Sequence, residues 1–337
     1  MSEKLILEIK NLVKYFPITT TGVLLKRQIG VIHAVDGISF SVHKGETFGL
    51  VGESGCGKTT TARAVLYLDP PTAGEIYFEG KEIGSIFKSK NKKKILDLRR
   101  KIQYIFQNPY ASLDPRMTVA DIIMEPFIIH GHVPKDKWLD RLYELLELVG
   151  LEDYHAERYP HEFSGGQRQR ICIARTLAVE PQFIIADEPV ASLDVSIRAQ
   201  ILNLLQELQQ KLNITYLYIS HDLSTVRHIC HRVAVMYLGK LVEVADTDQL
   251  FSSPLHPYTQ ALLSSIPIPD PMAKIGRIIL PGEVPSPINP PAGCRFQPRC
   301  INAKERKCIE NAPKLVDVGG GHLIACHKTQ MRQQLSI

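Results

Sequence analysis

No stretch of this chain stays apolar for anything near the ~20 residues that a helix needs to cross a bilayer. Residues Met1–Lys10 lack the long apolar core and the small-residue cleavage site of a secretory leader. Both lacks predict a cytosolic chain with no membrane span of its own. Charge of one sign is also scarce. The 40 Lys and Arg stand against 35 Asp and Glu, and a net +5 over 337 residues is too mild to argue for nucleic acid. Cysteine is sparse until the end. Cys56, Cys172 and Cys230 sit singly among apolar or motif residues, as small buried side chains do. Cys294, Cys300, Cys308 and Cys326 all fall in the last 44 residues, and in a cytosolic chain such a gathering points to metal before disulfide. It has no cysteines two to four residues apart, the spacing structural zinc sites more often use.

What remains is ordinary globular material, 44% hydrophobic, long enough for one domain of roughly 200–250 residues and a smaller appendage. Its most informative stretch is Gly52-Glu53-Ser54-Gly55-Cys56-Gly57-Lys58-Thr59. The apolar run Thr47–Val51 precedes it, and Thr60–Leu66, without a helix breaker, follows. Strand, glycine-rich turn and helix form the context in which this pattern reads as a phosphate-binding loop. The glycines let successive backbone N–H groups face one point, to which the helix start adds its positive end. Lys58 can reach the β- and γ-phosphates, and the Thr59 hydroxyl can ligate Mg²⁺.

In chain order, Leu5–Val13 alternates as a first strand and ends at Lys14-Tyr15-Phe16-Pro17, where an aromatic can stack on adenine or simply pack an edge. Ile18 to Ile32 reads as a long connection, and Ala34–Val42 as a second strand. A turn cluster at Asp69–Gly74 precedes a strand at Glu75–Glu79. Lys88–Lys101 reads as a solvated helix face, and Ile102–Phe106 as a strand running into Gln107. From Thr118 to Glu162 the pattern turns helical, with a period near 3.6 over Trp138–Val149. Ser164, Gly165, Gly166 and Gln167 stand where a helix begins, either a second anion-binding element or a plain serine cap. Phe183–Ala186 is apolar on both faces, as a central parallel strand is, and ends in Asp187-Glu188. Carboxylates there lie at the crevice where α/β sheets bind ligands. Asp187 suits Mg²⁺, and Glu188 can polarise water. Asp194 closes a turn before a helix at Ile197–Leu212, Thr215–Ile219 reads as the last core strand, and His221 stands just beyond it.

The phosphate loop, Gln107, Ser164–Gln167, Asp187-Glu188, Asp194 and His221, in this order and spacing, resemble the ATP-binding-cassette ATPases over roughly residues 4–250. The resemblance implies an α/β P-loop NTPase cassette, with a RecA-like core and antiparallel β and helical subdomains, over residues 1–250. The helical subdomain would fall at about 110–170. It implies that Gly52, Ser54, Gly55, Cys56, Gly57, Lys58, Thr59 and Thr60 grip ATP and Mg²⁺. Gln107 would touch metal or water, Asp187 would orient Mg²⁺, Glu188 would be the general base and His221 would contact the γ-phosphate. Ser164–Gln167 would bind ATP held by a second cassette, with Asp194 at that seam. Phe16, or Tyr15, would stack on adenine, and register favours Phe16.

Pro254–Pro298 holds 11 of the 22 prolines and reads as extended and poorly helical. Within it, Ser253-Pro254-Leu255-His256-Pro257-Tyr258-Thr259 is similar to the C-terminal signature of ATPases serving dipeptide and oligopeptide importers, as are Gly49–Gly55 and the loop with Leu25-Lys26-Arg27. This points to the F-type subunit of such importers, with a small cysteine-containing domain at 251–337. Cys294, Cys300, Cys308 and Cys326 are similar to a set that holds a [4Fe–4S] cluster in some members; four thiolates also suit zinc, or no metal at all. The implied partners are a paralogous cassette subunit (or a second copy), two transmembrane permeases and an extracytoplasmic peptide-binding protein, at the cytoplasmic face of the membrane and without nucleic acid. Metal chelates, glutathione and oligosaccharides are alternative cargoes. A soluble cassette ATPase of translation or DNA repair is disfavoured by the single cassette and the lack of a heptad insertion.

Overall fold

The computed structural model describes residues 4–19, 28–266, 276–303 and 306–329. In chain order the strands are β1 (Leu5–Thr19), β2 (Gln28–His43), β3 (Thr47–Val51), β4 (Ala73–Phe78), β5 (Lys81–Glu82) and β6 (Ile102–Ile105). They continue with β7 (Phe183–Asp187), β8 (Thr215–Ser220), β9 (Arg232–Tyr237), β10 (Lys240–Asp246), β11 (Val316–Asp317) and β12 (Leu323–Ile324). The described chain falls into two compact units, one of residues 4–6, His43–Thr47 and Ser85–Ile219, the other of Leu7–Val42, Phe48–Gly84 and Ser220 onward.

In the first unit, β6, β7 and β8 run parallel with β7 between its neighbours, Ile102 opposite Phe183 and Phe183 opposite Thr215. Every residue of β7 and β8 is buried, which is why these strands read as continuous apolar runs. A helical segment follows β6. Helix Val119–His130 starts from a capping box between Thr118 and Asp121 and ends at Gly131 in the left-handed conformation. It buries Ile123 and Phe127, the helix Trp138–Leu148 buries Leu142, Leu145 and Leu146, and both pack with the helix Gly165–Leu177.

In the second unit, β2, β1, β4 and β5 form a sheet in that order, with β1, β4 and β5 antiparallel. Strands β11, β12, β10, β9 and β3 are neighbours in that order. β3 pairs with β9 in parallel, Val51 opposite Val235. β9 and β10 form a hairpin through Leu238 and Gly239, both at positive φ (45° and 80°), the geometry that a two-residue turn matched to strand twist requires.

The α/β reading, with parallel core strands, an antiparallel sheet and a helical part, holds. Three local expectations do not. Both ends of Ile18 to Ile32 are strand rather than connection: β1 continues through Pro17 to Thr19 and β2 starts at Gln28, while residues 20–27, Leu25-Lys26-Arg27 among them, lie outside the described residues. Thr215–Ile219 is not the last core strand, because β9 follows and buries Val233–Tyr237 completely. The proline-rich tail opens with a helix, Pro257–Ser264: proline at its first position needs no N–H partner, and no proline follows inside it.

Candidate functional site

The phosphate loop lies in the second unit, between β3 and the helix Lys58–Val65. Glycines at 52 and 57 are structurally required. Gly57 caps the helix at φ 110°, and a Cβ there would stand 2.2 Å from the Ala34 carbonyl oxygen. A Cβ on Gly52, at φ 153°, would stand 2.1 Å from the Met236 carbonyl oxygen. Lys58 is buried, its Nζ donating to the carbonyls of Gly52 (2.7 Å) and Glu53 (3.1 Å). Ser54, Gly55 and Thr59 are exposed, Thr60 is half-buried, and Cys56 is buried, which pushes its thiol up. The loop thus keeps its lysine folded onto its own carbonyls and its outer face open to an anion.

Tyr15 and Phe16 differ in what holds them. The Tyr15 hydroxyl donates to Asp36, and its ring lies 4.2 Å from that of His33. Burial, then Asp36, pushes this phenol up to about 12. Asp36 also meets Lys240 at 3.1 Å and Arg295. Burial works against its charge, but the Tyr15 bond and the two cations outweigh it and hold the carboxyl below the usual range. Phe16 is half-buried with Lys14 Nζ 4.9 Å above its ring.

The carboxylate pair lies in the first unit, at the end of β7. Asp187 is 2% exposed and accepts the Tyr104 hydroxyl at 2.6 Å. Glu188 adopts φ 48°, a left-handed conformation that costs a non-glycine residue on the order of 1 kcal/mol. Its N–H donates to the Ile219 carbonyl at 2.8 Å, and its carboxylate accepts Gln107 Nε2 at 2.8 Å. Gln107, Asp187 and Glu188 are therefore brought together at the ends of neighbouring strands. Tyr104 joins them without having been singled out, since a tyrosine inside an apolar strand carries no mark of its own.

Ser164 caps the helix Gly165–Leu177: its hydroxyl accepts Gln167 N–H at 3.3 Å, and the Gln167 side chain accepts Ser164 N–H at 3.1 Å. Ser164 is exposed while Gly166 is buried, and a Cβ on Gly166 would stand 2.4 Å from Ile197 Cγ2. Asp194, exposed, begins the helix Val195–Leu212 without a side-chain cap. His221 is exposed in the turn before the helix Leu223–Ile229.

In the tail, Cys294, Cys300, Cys308 and Cys326 line one cavity of about 220 Å³, together with His256 and His327. Among the described residues, no three His, Cys, Asp or Glu side chains stand close enough to hold a single metal ion. Burial, then the neighbouring cysteines, raises the Cys294 thiol to about 11. Of the arginines beside these cysteines, Arg295 reaches Asp36 and the Leu238 carbonyl, and Arg299 reaches Glu53 at 2.9 Å. Glu243, wholly buried in β10, accepts the N–H groups of Leu255 (2.7 Å) and His256 (2.9 Å) and contacts His322 at 2.7 Å. It escaped the sequence reading, although a lone glutamate in the apolar run Leu241–Ala245 was a visible signal.

Residues 35–191 match the family model of the ABC transporter, and residues 242–308 match that of the oligopeptide/dipeptide transporter C-terminal region. The chain is 51% identical to the oligopeptide transport ATP-binding protein AppF of Bacillus subtilis, across 97% of this chain and 98% of that one. It is 49% identical to the dipeptide transport ATP-binding protein DppF of Haemophilus influenzae, across 94% of each. Among solved structures, cbiO1 of Clostridium perfringens, part of the ABC transporter complex cbiONQ, is similar with a TM-score of 0.62 at 28% identity, covering 74% of this chain and 92% of that one. The dimeric cassette MJ0796 in a post-hydrolysis state with ADP and Pi has a TM-score of 0.61 at 28% identity, covering 72% and 98%.

Proposed function

That this chain belongs to the ABC transporter ATPases, in their oligopeptide/dipeptide branch, is the premise from which we propose that it binds and hydrolyses ATP to power import of dipeptides and oligopeptides. The observation that carries the chemistry is the Gln107–Glu188 hydrogen bond beside an Asp187 held by Tyr104. Glu188 takes a proton from the water that attacks the γ-phosphorus, and ADP leaves with its new charge met by Lys58 and the loop N–H groups. Thr59, Gln107 and Asp187 would hold Mg²⁺ as oxygen donors of the kind it takes, and since Gln107 gives its nitrogen to Glu188, its amide oxygen is the atom that would serve. Mg²⁺ would neutralise phosphate charge there. His221 would contact the γ-phosphate. Phe16 is the better adenine platform, because the Tyr15 hydroxyl is tied to Asp36.

Ser164, Gly165, Gly166 and Gln167 would complete the site of a second cassette, a paralogue or another copy, with Asp194 beside them. The exposure of Ser164 and Asp194 is in keeping with that role. Two permeases would dock the cassette to the cytoplasmic membrane face, with a peptide-binding protein outside. Exposed Phe106, Tyr110, Ile128 and Ile129 supply apolar area for such contacts. No helix among the described residues is long and apolar enough to cross a membrane, so the span would come from those partners.

The tail from residue 251 would hold a [4Fe–4S] cluster. Four thiols around one cavity fit such a group. A single zinc needs its four sulfurs at about 2.3 Å from one point, and no described group converges so tightly. The cluster would act as a staple for a segment with little core.

The deciding experiment is E188Q: ATP binding stays intact and turnover nearly vanishes. Hydrolysis at the original rate would remove Glu188 from the role of base.

A further inference from the structure

Every polar group of Glu53, the second residue of the phosphate loop, is engaged. Its carbonyl accepts Lys58 Nζ at 3.1 Å. Its N–H donates to the Tyr258 hydroxyl at 2.9 Å, and its carboxylate accepts Arg299 at 2.9 Å. The last two partners come from the C-terminal segment, 205 and 246 positions later. We propose that Tyr258 and Arg299 are positioning residues for ATP, fixing Glu53 and through it the shape in which the loop receives phosphate.

Neither partner is a loose surface contact. Tyr258 has no exposed surface, and its ring packs on Tyr237 at 4.7 Å and Phe296 at 5.3 Å. Its backbone is set by the signature Leu255-His256-Pro257-Tyr258. Glu243 fixes His256 N–H, His256 Nδ1 accepts Tyr258 N–H at 3.1 Å, and Pro257 begins the helix. A buried chain of contacts thus runs from Glu243 through His256 and Tyr258 to Glu53. Arg299 is 8% exposed and approaches from the turn Gln297–Arg299. A loop whose N–H groups must converge on phosphate gains affinity when its shape is fixed before the ligand arrives. Glu53 bears most on that shape, because Lys58 rests on its carbonyl and on that of Gly52 next to it. Tyr258 does not line the cysteine cavity, so its effect is separable from any metal held there.

The inference rests on residues 52–59 binding ATP, and the test separates the two ideas. ATP affinity is measured by calorimetry on the full chain carrying E188Q. Adding K58A should abolish binding; if the parent protein binds no ATP, or K58A binds as well as its parent, the reading of the loop falls and this inference falls with it. Y258F and R299Q should each raise Kd by about three- to tenfold, the worth of one net hydrogen bond or of one to a charged group. R299K, which keeps the charge, should stay within about twofold. E53Q and R299Q should be non-additive, because both remove the same ion pair. In chains with Glu188 intact, KM for ATP should rise while kcat stays within about twofold, a split that general loss of folded protein does not produce. Kd within twofold of the parent for Y258F and R299Q, with K58A inactive in binding, overturns the proposal. Should Y258F not fold, E53Q alone carries the test, with the same expected weakening and the same overturning result.

Discussion

Gln107 Nε2 donates to Glu188 Oε2 at 2.8 Å, joining the second residue past β6 to the first past β7, two parallel neighbours in one unit. The amide therefore fixes where the carboxylate points. Replacing it by alanine should lower kcat about tenfold by letting the base wander, a modest share of what general base catalysis supplies. ATP affinity of Q107A should change by less than about threefold. A steady-state assay beside a binding titration decides it; unchanged kcat would mean the contact does not orient the base.

Tyr104 donates its hydroxyl to Asp187 at 2.6 Å. Y104F should raise the Mg²⁺ concentration needed for half-maximal turnover by several-fold, about 1 kcal/mol for one lost hydrogen bond. Nucleotide binding without the metal should be unchanged. A Mg²⁺ titration of ATPase activity that overlays the parent curve would exclude Tyr104 from orienting Asp187.

Gly57 admits no side chain, since the Cβ would meet a backbone oxygen at 2.2 Å and the φ of 110° is hostile to L residues. G57A should bind ATP at least about a hundredfold more weakly, or unfold at lower denaturant, with a cost of about 2 kcal/mol or more. Equal affinity and equal midpoint would show that the loop reshapes freely.

Glu243 accepts two N–H groups and contacts His322 with no exposed surface of its own. E243A leaves those donors stranded and should cost about 3 kcal/mol or more in chemical unfolding. Hydrogen exchange at Leu255 and His256 should accelerate first, and protection equal to the parent's there would contradict the assignment.

His256 is fully buried. Burial lowers its imidazole to about 4 against an upward pull from Glu243. The unfolded chain takes up this proton near 6.5, the native chain only near 4, so stability is complete above about pH 6.5 and declines as pH falls to about 4. The loss attributable to this group is about 3 kcal/mol. Unfolding free energies at pH 7.5 and 4.5 should differ less in H256N than in the parent by roughly that amount; identical differences would sink the assignment.

The legible parts of this molecule were the local ones. Gly52–Thr59 announces its turn because its glycines, lysine and threonine are consecutive, and Asp187-Glu188 announces itself by ending an apolar run. The strand after His231 is equally visible in Val233–Tyr237, but β8 alone completes the alternation of strand and helix and so masks the need for another. Pro17 marked the end of β1 too early: proline lacks only one ladder donor, and its exposed position in the strand tolerates that. Hidden altogether were pairings between distant residues. Nothing near Tyr258 says that its hydroxyl meets Glu53, and nothing near Arg295 says that it meets Asp36.

The 205 and 246 positions that separate Glu53 from Tyr258 and Arg299 also set a schedule. During synthesis the phosphate loop leaves the ribosome early, yet its second residue cannot acquire its full set of partners until most of the chain has been made. Closing so long a span is slow compared with forming the helix beside it. A nascent chain, or one broken off before residue 258, would therefore carry a complete nucleotide motif in an unfinished loop. Full affinity for ATP would arrive late, with the end of translation.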